Sequence, residues 1–311
     1  MRPFDIPLAK EIEQKLISFN SKYPLPGVGS GQRMSCLILQ IIDSIRRIKY
    51  IRVIRDRNIG DIYKNPLSEY FDPIKAAIWH IQNTNLNEAY WLVFLLTHFG
   101  KNKKTKWSLL KQVYGALGEN RVWSWTEICS DFNGFRNWLN QNQNRLKAFG
   151  SFGNHRKYQS LDAFKLKGTG SAIGSYIEWV GANRDHQSLI DKFIVGTNKN
   201  ARVLFRTLYE SMDSVISFGR MAKFDYLTML GKLELAPIEP DSTYMDGATG
   251  PKAGAKLLFS EKKNLIFSHN ELSELLNQLE SHLKLYFGMQ VLEDALCNWQ
   301  KSPEKYVHFI G

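Results

Sequence analysis

The residues best suited to chemistry lie between Ser217 and Asp241. A tight glycine turn, Phe218-Gly219-Arg220, precedes a predicted amphipathic helix that runs from Met221 to about Leu230, and a proline-containing loop then leads to Asp241. A helix that begins at a glycine turn presents unpaired backbone N–H groups and a positive dipole end, which suit a DNA phosphate. A carboxylate after such a helix would face the bound strand, so the pattern indicates chemistry on DNA.

Three carboxylates are candidates for that chemistry. Cleavage of an N-glycosidic bond passes through an oxocarbenium-like sugar, and a nearby carboxylate stabilises this positive charge or activates a water. Asp241 is the first candidate, although an aspartate after a proline is also a common cap of a short turn. Asp225, one turn into the predicted helix, and Asp294, near the end of the chain, are the others. A salt bridge would equally explain Asp225, and a structural role would equally explain Asp294.

Basic residues accompany several glycine-rich turns, where they would meet DNA phosphates. The segment Gly153–Tyr158 (GNHRKY) predicts a helix with three basic residues in its first turn, although positive charges there oppose the helix dipole. A bound anion is the simplest reason for that arrangement. Residues 100–106 are a lysine-rich loop that we expect to be exposed. The predicted DNA contacts are Gly219, Arg220, Lys223, Asn154, His155, Arg156, Lys157 and Lys252.

The composition favours a globular protein that binds nucleic acid. The chain has 311 residues, a net charge of +11 and a pI of about 9.4, so polyanions are its expected partners. DNA comes first among them and an anionic membrane surface second. With 43% hydrophobic residues the chain can bury a substantial core, but no apolar run approaches the length of a membrane span.

We expect no metal, no cofactor, and a cytoplasmic, nucleoid-associated location. The three cysteines, Cys36, Cys129 and Cys297, are far apart and show neither metal-ligand spacing nor a disulfide framework. The N-terminal sequence lacks the apolar core of a signal peptide, and no common nucleotide-binding or zinc-site motif occurs.

The hydrophobic pattern predicts an all-α fold, because apolar residues recur at helical spacing and no strand-like alternation is clear. Residues 87–99 are apolar almost all round and should form a central buried helix. The sequence LPGVG at residues 25–29 is typical of a helix–helix turn and also of a DNA-binding hairpin. A polar connection at residues 58–70 suggests a boundary between an N-terminal helical extension, residues 1–65, and a core domain, residues 66–311.

The order of these features resembles the helix-hairpin-helix DNA glycosylase superfamily. The matching pieces are Glu88–Phe99, Gly153–Tyr158, the hairpin and Asp241, which lies 22 residues after Gly219. Four longer motifs resemble the α-glutamyl/putrescinyl-thymine pyrophosphorylase family over about residues 70–311. They are FGNHRKY, SMDSVISFGRMAKFDYLTMLGKL, GATGPKAGAKLLF and GMQVLEDALCNWQKSP. The resemblance implies two helical subdomains that flank a cleft for DNA and a flipped base.

A departure from the superfamily pattern narrows the chemistry that the resemblance implies. Bifunctional members carry a Schiff-base lysine two residues after the last hairpin glycine, where this chain has Met221. The implied activity is therefore that of a monofunctional DNA glycosylase that flips out and excises a bulky 5-substituted pyrimidine. Glucosylated hydroxymethylcytosine in phage DNA is the plausible target, and the abasic sites left behind would serve anti-phage defence.

Two other functions stay open. The family's name suggests a pyrophosphorylase-type transferase, which displaces pyrophosphate from a 5-pyrophosphorylmethyl pyrimidine with an amine and so builds hypermodified thymine in DNA. That chemistry usually uses a divalent cation and a strong phosphate clamp, and no carboxylate cluster in the sequence obviously suits a metal. The third possibility is a DNA-binding module without catalytic activity.

Overall fold

The chain folds into helices and connecting loops, so the predicted all-α class is confirmed. The computed structural model describes residues 3–260, 262 and 267–308, and no β-strand occurs within these ranges. None of the described helices combines the length and the apolar composition that crossing a bilayer requires. The α-helices are α1 (Ile6–Asn20), α2 (Gly31–Arg55), α3 (Pro73–Gln82), α4 (Leu86–Phe99), α5 (Ser108–Tyr114), α6 (Trp125–Ser130), α7 (Phe132–Phe149), α8 (Thr169–Val180), α9 (His186–Val195), α10 (Ala201–Ser211), α11 (Arg220–Lys232), α12 (Gly250–Ser260), α13 (His269–Leu283) and α14 (Gly288–Trp299).

The helices form two compact units. The first contains Met1–Ile51 and Pro240–Gly311, and the second contains Arg52–Glu239. The boundary predicted near residue 65 differs from this division. The N-terminal helices share their unit with the last three helices, whereas the sequence suggested an extension packed on one continuous domain.

One hydrophobic core joins the two chain segments of the first unit. Its buried side chains come from α1 and α2 and from α12, α13 and α14. Ile12, Leu16 and Ile41 from the N-terminal segment are at most 1% exposed, as are Leu258 and Trp299 from the C-terminal one. Because an amphipathic helix cannot bury its apolar stripe alone, segments far apart in sequence complete each other's core.

The LPGVG sequence of the first unit is a packing turn between α1 and α2. Pro26–Val28 forms a 3-10 turn, and Gly27 lies against the backbone of α12. A Cβ atom at residue 27 would sit 2.0 Å from the Leu257 carbonyl oxygen, so only glycine fits. The helix–helix turn is therefore the interpretation that the structure supports for this sequence.

The second unit is built around α4. Every residue of this helix from Glu88 to Phe99 is buried, which confirms the predicted central helix. Phe94 on α4 stacks on Tyr176 of α8 with 3.8 Å between ring centroids, and on Phe218 of the predicted hairpin with 4.8 Å. The hairpin is thus anchored to the central helix by an aromatic side chain.

A chain of buried hydrogen bonds ties four helices of the second unit together. His186 Nδ1 lies 2.7 Å from Asn87 Oδ1, His186 Nε2 lies 2.8 Å from the Tyr176 hydroxyl, and that hydroxyl lies 2.8 Å from the Tyr226 hydroxyl. Burial lowers the pKa of His186 to about 3, so its ring is neutral. Because Asn87 Oδ1 can only accept, Nδ1 donates and Nε2 accepts from Tyr176, which fixes the direction of the chain.

Glu88, in the first turn of α4, is a buried carboxyl group with a partner on each oxygen. The Tyr114 hydroxyl donates to Oε1 and the Trp125 backbone N–H donates to Oε2, both at 2.7 Å. Burial raises the pKa of Glu88 to about 7, against these two hydrogen bonds, which lower it. The folded protein therefore binds a proton at Glu88 in a pH range where the unfolded chain does not.

Replacing Glu88 with glutamine should change how stability depends on pH. With a folded pKa of about 7 and an ordinary value of 4.5, the contribution of Glu88 is fully present below about pH 4.5 and is lost as pH rises through about 7. As pH rises from about 4.5 to 7, the free energy of unfolding of the wild type should therefore fall by about 3 kcal/mol relative to that of Glu88→Gln. Denaturant unfolding at several pH values measures this difference in stability, with Glu13→Gln, at an exposed position of α1, as the control. If the difference in free energy of unfolding between the wild type and Glu88→Gln does not change with pH, the raised pKa of Glu88 is wrong.

Candidate nucleic-acid interface

Four loops of the second unit lie side by side at the C-terminal end of α4. They are residues 100–107, 149–159, 160–168 and 215–220, and we term them together the four-loop surface. Each loop is hydrogen-bonded to at least one of the others. The last one is the predicted hairpin, so this surface is where the sequence pattern and the structure can be compared.

The first loop is a small hairpin that carries four lysines. Asn102 and Lys106 exchange backbone hydrogen bonds, each 3.0 Å long. Asn102 Oδ1 accepts from the backbone N–H groups of Lys104 and Thr105 at 2.9 and 3.1 Å, and Asn102 Nδ2 donates to the Phe152 carbonyl at 3.2 Å. One asparagine side chain therefore orders the lysine loop and joins it to the second loop.

The second loop crosses the end of α4 so closely that residue 153 must be glycine. The Gly153 N–H donates to the Phe99 carbonyl at 2.8 Å, and a Cβ atom at residue 153 would lie 2.7 Å from the Gly100 carbonyl carbon. Asn154–Arg156 then forms a single 3-10 turn. The helix expected after Gly153 is therefore wrong, because the chain turns back after one turn. The dipole argument for an anion beside His155 does not apply to so short a turn.

This turn directs the Arg156 side chain into the interior. Its side chain is 7% exposed, and Nε donates to the Thr97 carbonyl in the last turn of α4 at 2.7 Å. Its Nη2 pairs with Asp225 Oδ2 of α11 at 2.8 Å. A guanidinium at this position complements the negative end of the α4 dipole and links α4 to α11.

The predicted hairpin is held by the two loops beside it. Gln159 Nε2 donates to the Ser217 carbonyl at 3.1 Å, and the Ser217 hydroxyl donates to the Lys167 carbonyl at 3.1 Å. Ser217 has a φ of +65°, in the left-handed region. Gly219 is the N-cap of α11, makes no side-chain cap, and faces open space where a Cβ atom would be. The predicted glycine turn and the helix after it are confirmed, but most residues of this helix are buried, so the expected amphipathic character is wrong.

Lysines dominate the exposed side chains of the four-loop surface. They are Lys101, Lys103, Lys104, Lys106, Lys157, Lys165 and Lys167. Two carboxylates that accompany them are engaged, Asp162 with Lys165 at 3.3 Å and Asp225 with buried Arg156. A dense positive excess on one face creates a field that attracts phosphate groups.

The predicted DNA contacts have different surroundings. Those that are exposed or half-buried on the four-loop surface are Gly219, Arg220, Asn154, His155 and Lys157. Arg156 is buried, and Lys223 is 6% exposed, paired with Asp213, with its ammonium 3.9 Å from the centre of the Tyr209 ring. In this structure both side chains are buried and stabilise the interior. Lys252 lies in the first unit, in the first turn of α12.

Of the three candidate carboxylates, Asp225, on α11, contacts the four-loop surface through Arg156. Its side chain is 47% exposed, and its ion pair with Arg156 is the salt bridge that the sequence offered as an alternative. One carboxylate oxygen faces a buried guanidinium while the side chain still reaches solvent. This arrangement holds a negative charge in a fixed position next to the hairpin.

Asp241 and Asp294 belong to the first unit. Asp241 is half-buried and accepts a hydrogen bond from the Tyr244 hydroxyl at 2.7 Å. Asp294, on α14, accepts from the Ser44 hydroxyl at 3.0 Å and pairs with Arg47 at 3.3 Å. Asp294 therefore has the structural partners that its position in a packed helix suggested.

Two features of this surface were missed by sequence reasoning. The first is Asn102, whose role could have been suggested by an asparagine placed just before a run of turn residues, since its side chain often bonds the backbone two residues on. The second is the third loop, where FKLKG alternates apolar and basic residues from Phe164 to Gly168. An alternating pattern of this kind without a strand is a signal for an exposed basic loop.

A cavity of about 570 Å³ opens elsewhere in the second unit. It is lined by side chains that include Lys64, His80 and Tyr114. The Tyr114 hydroxyl also bonds Glu88 in the first turn of α4, so the cavity lies toward the opposite end of this helix from the four-loop surface. Among the residues that the structure describes, no group of three or more His, Cys, Asp or Glu is arranged to hold a metal ion.

A family model described as alpha-glutamyl/putrescinyl thymine pyrophosphorylase clade 3 matches residues 32–311, and the chain belongs to this family. The family resemblance of the sequence motifs is thereby confirmed. Membership connects the chain with the enzymology of thymine hypermodification. No curated protein and no solved structure was found to match the chain.

Removing lysines from the four-loop surface should weaken DNA binding in a salt-dependent way. Each phosphate contact releases counterions, so losing three contacts should reduce the slope of log K against log salt by about 3 for duplex DNA. We expect the triple variant Lys103→Gln, Lys157→Gln, Lys167→Gln to bind at least about tenfold more weakly near physiological salt. Fluorescence anisotropy across a salt series measures both quantities.

The matched control removes the same charge elsewhere. Lys10→Gln, Lys22→Gln, Lys284→Gln changes three exposed lysines of the first unit. If this control lowers affinity and slope as much as the four-loop variant does, only net charge matters, and the four-loop surface is not the DNA interface.

Proposed function

We propose that this protein binds DNA at the four-loop surface and acts there on a pyrimidine that carries a substituent at C5. The observation that carries the proposal is the convergence of exposed lysines and the glycine hairpin on one hydrogen-bonded surface. Membership of a family named for modified thymine supports a base in DNA as the target. In this proposal Gly219, Arg220, Asn154, His155 and Lys157 meet the DNA, and Lys252 is a further contact.

The reaction that we propose is excision of the modified base. The base leaves the stack, and the N-glycosidic bond breaks with its electron pair going to the base, which takes up a proton. Water adds to the sugar and loses a proton, which leaves an abasic site. A fixed carboxylate stabilises the positive sugar in this step. Met221 in place of a lysine supports simple hydrolysis without strand cleavage. Two helical subdomains of helix-hairpin-helix type would flank the DNA in this proposal.

The carboxylate assignment has two candidates that experiments can separate. Asp241 has the spacing from Gly219 that the superfamily resemblance implies. Asp225 lies next to the hairpin and is oriented by buried Arg156. Asp294 is the weakest candidate, because its partners Ser44 and Arg47 account for its position.

A second reaction is favoured by the family's printed name. In a pyrophosphorylase-type transfer, an amine nitrogen attacks the methylene carbon on C5 and loses a proton, and the carbon–oxygen bond to pyrophosphate breaks. The modified base then stays attached to the sugar. The same lysines would hold the leaving pyrophosphate through its negative charges.

One experiment distinguishes these reactions. The protein is incubated with phage DNA that contains hypermodified pyrimidines, with DNA that contains 5-pyrophosphorylmethyl pyrimidine in the presence and absence of an added amine, and with unmodified DNA. Excision gives free base and alkali-labile sites, whereas transfer gives pyrophosphate and an intact glycosidic bond. Binding without either product would favour a DNA-binding module. Excision confined to modified phage DNA would support a role in cytoplasmic defence against phage.

Replacing the catalytic carboxylate should abolish most of the excision. We expect Asp241→Asn to lower the single-turnover rate by about 100-fold or more, because an amide cannot stabilise the charged sugar. Asp225→Asn is measured beside it, and a larger loss there would move the assignment to Asp225. Asp246→Asn, an exposed aspartate of the first unit, is the control. Full activity in both variants would overturn the carboxylate assignment.

Loss of folding must be separated from loss of chemistry in Asp225→Asn, since this change leaves Arg156 buried without its charged partner. Thermal unfolding and DNA affinity are therefore measured on the same samples. A variant that melts and binds DNA like the wild type but fails to react has lost chemistry alone.

A further inference from the structure

Large apolar side chains stand exposed among the lysines of the four-loop surface. Tyr158 is 90% exposed, Leu166 is 76% exposed and Phe164 is 51% exposed. Leaving a tyrosine almost fully in water forgoes the free energy of burying it, so an exposed aromatic group in a basic setting suggests a partner. The partner must be anionic overall and must also offer an apolar face.

The hydrogen bonds bring two of these side chains to the hairpin. Tyr158 precedes Gln159, whose side chain donates to the Ser217 carbonyl. Leu166 precedes Lys167, whose carbonyl accepts from the Ser217 hydroxyl. Tyr158 and Leu166 therefore each stand one residue from a group that bonds Ser217, beside the N-terminal end of α11.

The lysines are interleaved with these apolar groups. Lys157 Nζ lies 5.0 Å from the centre of the Tyr158 ring, and the Phe164 ring faces the Arg136 guanidinium at 4.5 Å. Arg136 is itself fixed by a hydrogen bond from Nε to the Ala163 carbonyl at 3.0 Å. Cations and rings side by side match a nucleotide, in which a phosphate and a flat base are joined by a sugar.

We propose that the four-loop surface binds DNA at unpaired nucleotides and that Tyr158 is the side chain on which an unpaired base stacks. In an intact duplex the base faces are covered by their neighbours, so lysines alone would suffice for its phosphates. A single strand, a gap or an unpaired stretch exposes base faces that an accessible ring can cover. This inference rests on the proposed DNA-binding function and deepens it by naming the kind of DNA.

The test compares one sequence as a single strand, as an intact duplex and as a duplex with a short gap. Affinity is measured by fluorescence anisotropy for the wild type, Tyr158→Ala and Tyr158→Phe. We expect the wild type to prefer the single strand and the gapped duplex by about tenfold. Tyr158→Ala should lose most of this preference without changing the salt slope, and Tyr158→Phe should keep it. Tyr70→Ala, at an exposed tyrosine between α2 and α3, is the matched control and should behave as the wild type.

A direct readout of stacking comes from Tyr158→Trp. Because the chain already has eight tryptophans, quenching is measured as the difference between this variant and the wild type, and we expect that difference with the single strand and not with the duplex. Equal affinity for single strand and duplex, or equal losses on both in Tyr158→Ala, would overturn the inference. So would binding to anionic lipid vesicles that depends on Tyr158 while DNA binding does not.

The outcome is independent of catalysis. A preference for unpaired DNA that depends on Tyr158 supports this inference even if no modified base is excised or transferred. Excision of a modified base from intact duplex with no contribution from Tyr158 would support the proposed function and refute this inference. No binding to any DNA would refute both.

Discussion

The buried guanidinium of Arg156 is the contact on which the arrangement of the four-loop surface depends. It bonds the Thr97 carbonyl at the end of α4 and the Asp225 carboxylate of α11. The first is a backbone group of the central helix and the second lies on the helix that the hairpin starts. Losing one partner of a buried charge costs several kcal/mol, so this contact strongly favours one position of α11 relative to α4. The loop that carries Arg156 is fixed by the same bonds.

Around this contact, side chains that looked suited to binding DNA divide between two tasks. Arg156 and Lys223 are buried and hold loops and helices in place, whereas Lys157 beside them is exposed. The letters HRK place three basic residues in a row, but a 3-10 turn points successive side chains in different directions. A basic residue in a recognition motif can therefore stabilise the surface without touching the ligand.

Much of the secondary structure could be predicted from the sequence because its signals are local. The start of α3 is an example: an aspartate directly before a proline is typical of a helix start, and the Asp72 carboxylate accepts from the Ile74 and Lys75 N–H groups. The division into units could not be predicted, because it depends on which apolar stripes meet. The stripe of α1 and α2 carries no mark that its partners are the last three helices.

For the candidate site, too, local features could be predicted from the sequence and contacts between distant segments could not. The hairpin at Gly219 was identified from its sequence, while the role of Asn102 was not, because Asn102 joins two loops that are distant in sequence. LPGVG shows a different case, since its sequence is typical of both a helix–helix turn and a DNA-binding hairpin, and in the structure Gly27 is needed for contact with α12. The local sequence predicts a turn, but whether that turn packs against another helix or binds a ligand depends on tertiary contacts.

The lysine hairpin closed by Asn102 separates the charge of the surface from the stability of the fold. Its frame consists of backbone bonds, the Asn102 side chain and one bond from Lys106 Nζ to the Lys103 carbonyl, and all four of its lysines are exposed. Exchanging Lys103 or Lys104 for a neutral residue should alter the electrostatic attraction while the loop keeps its shape. Mutation can thus change the strength with which this hairpin attracts DNA over a wide range and with little loss of stability, whereas most other positions of the surface are constrained by packing.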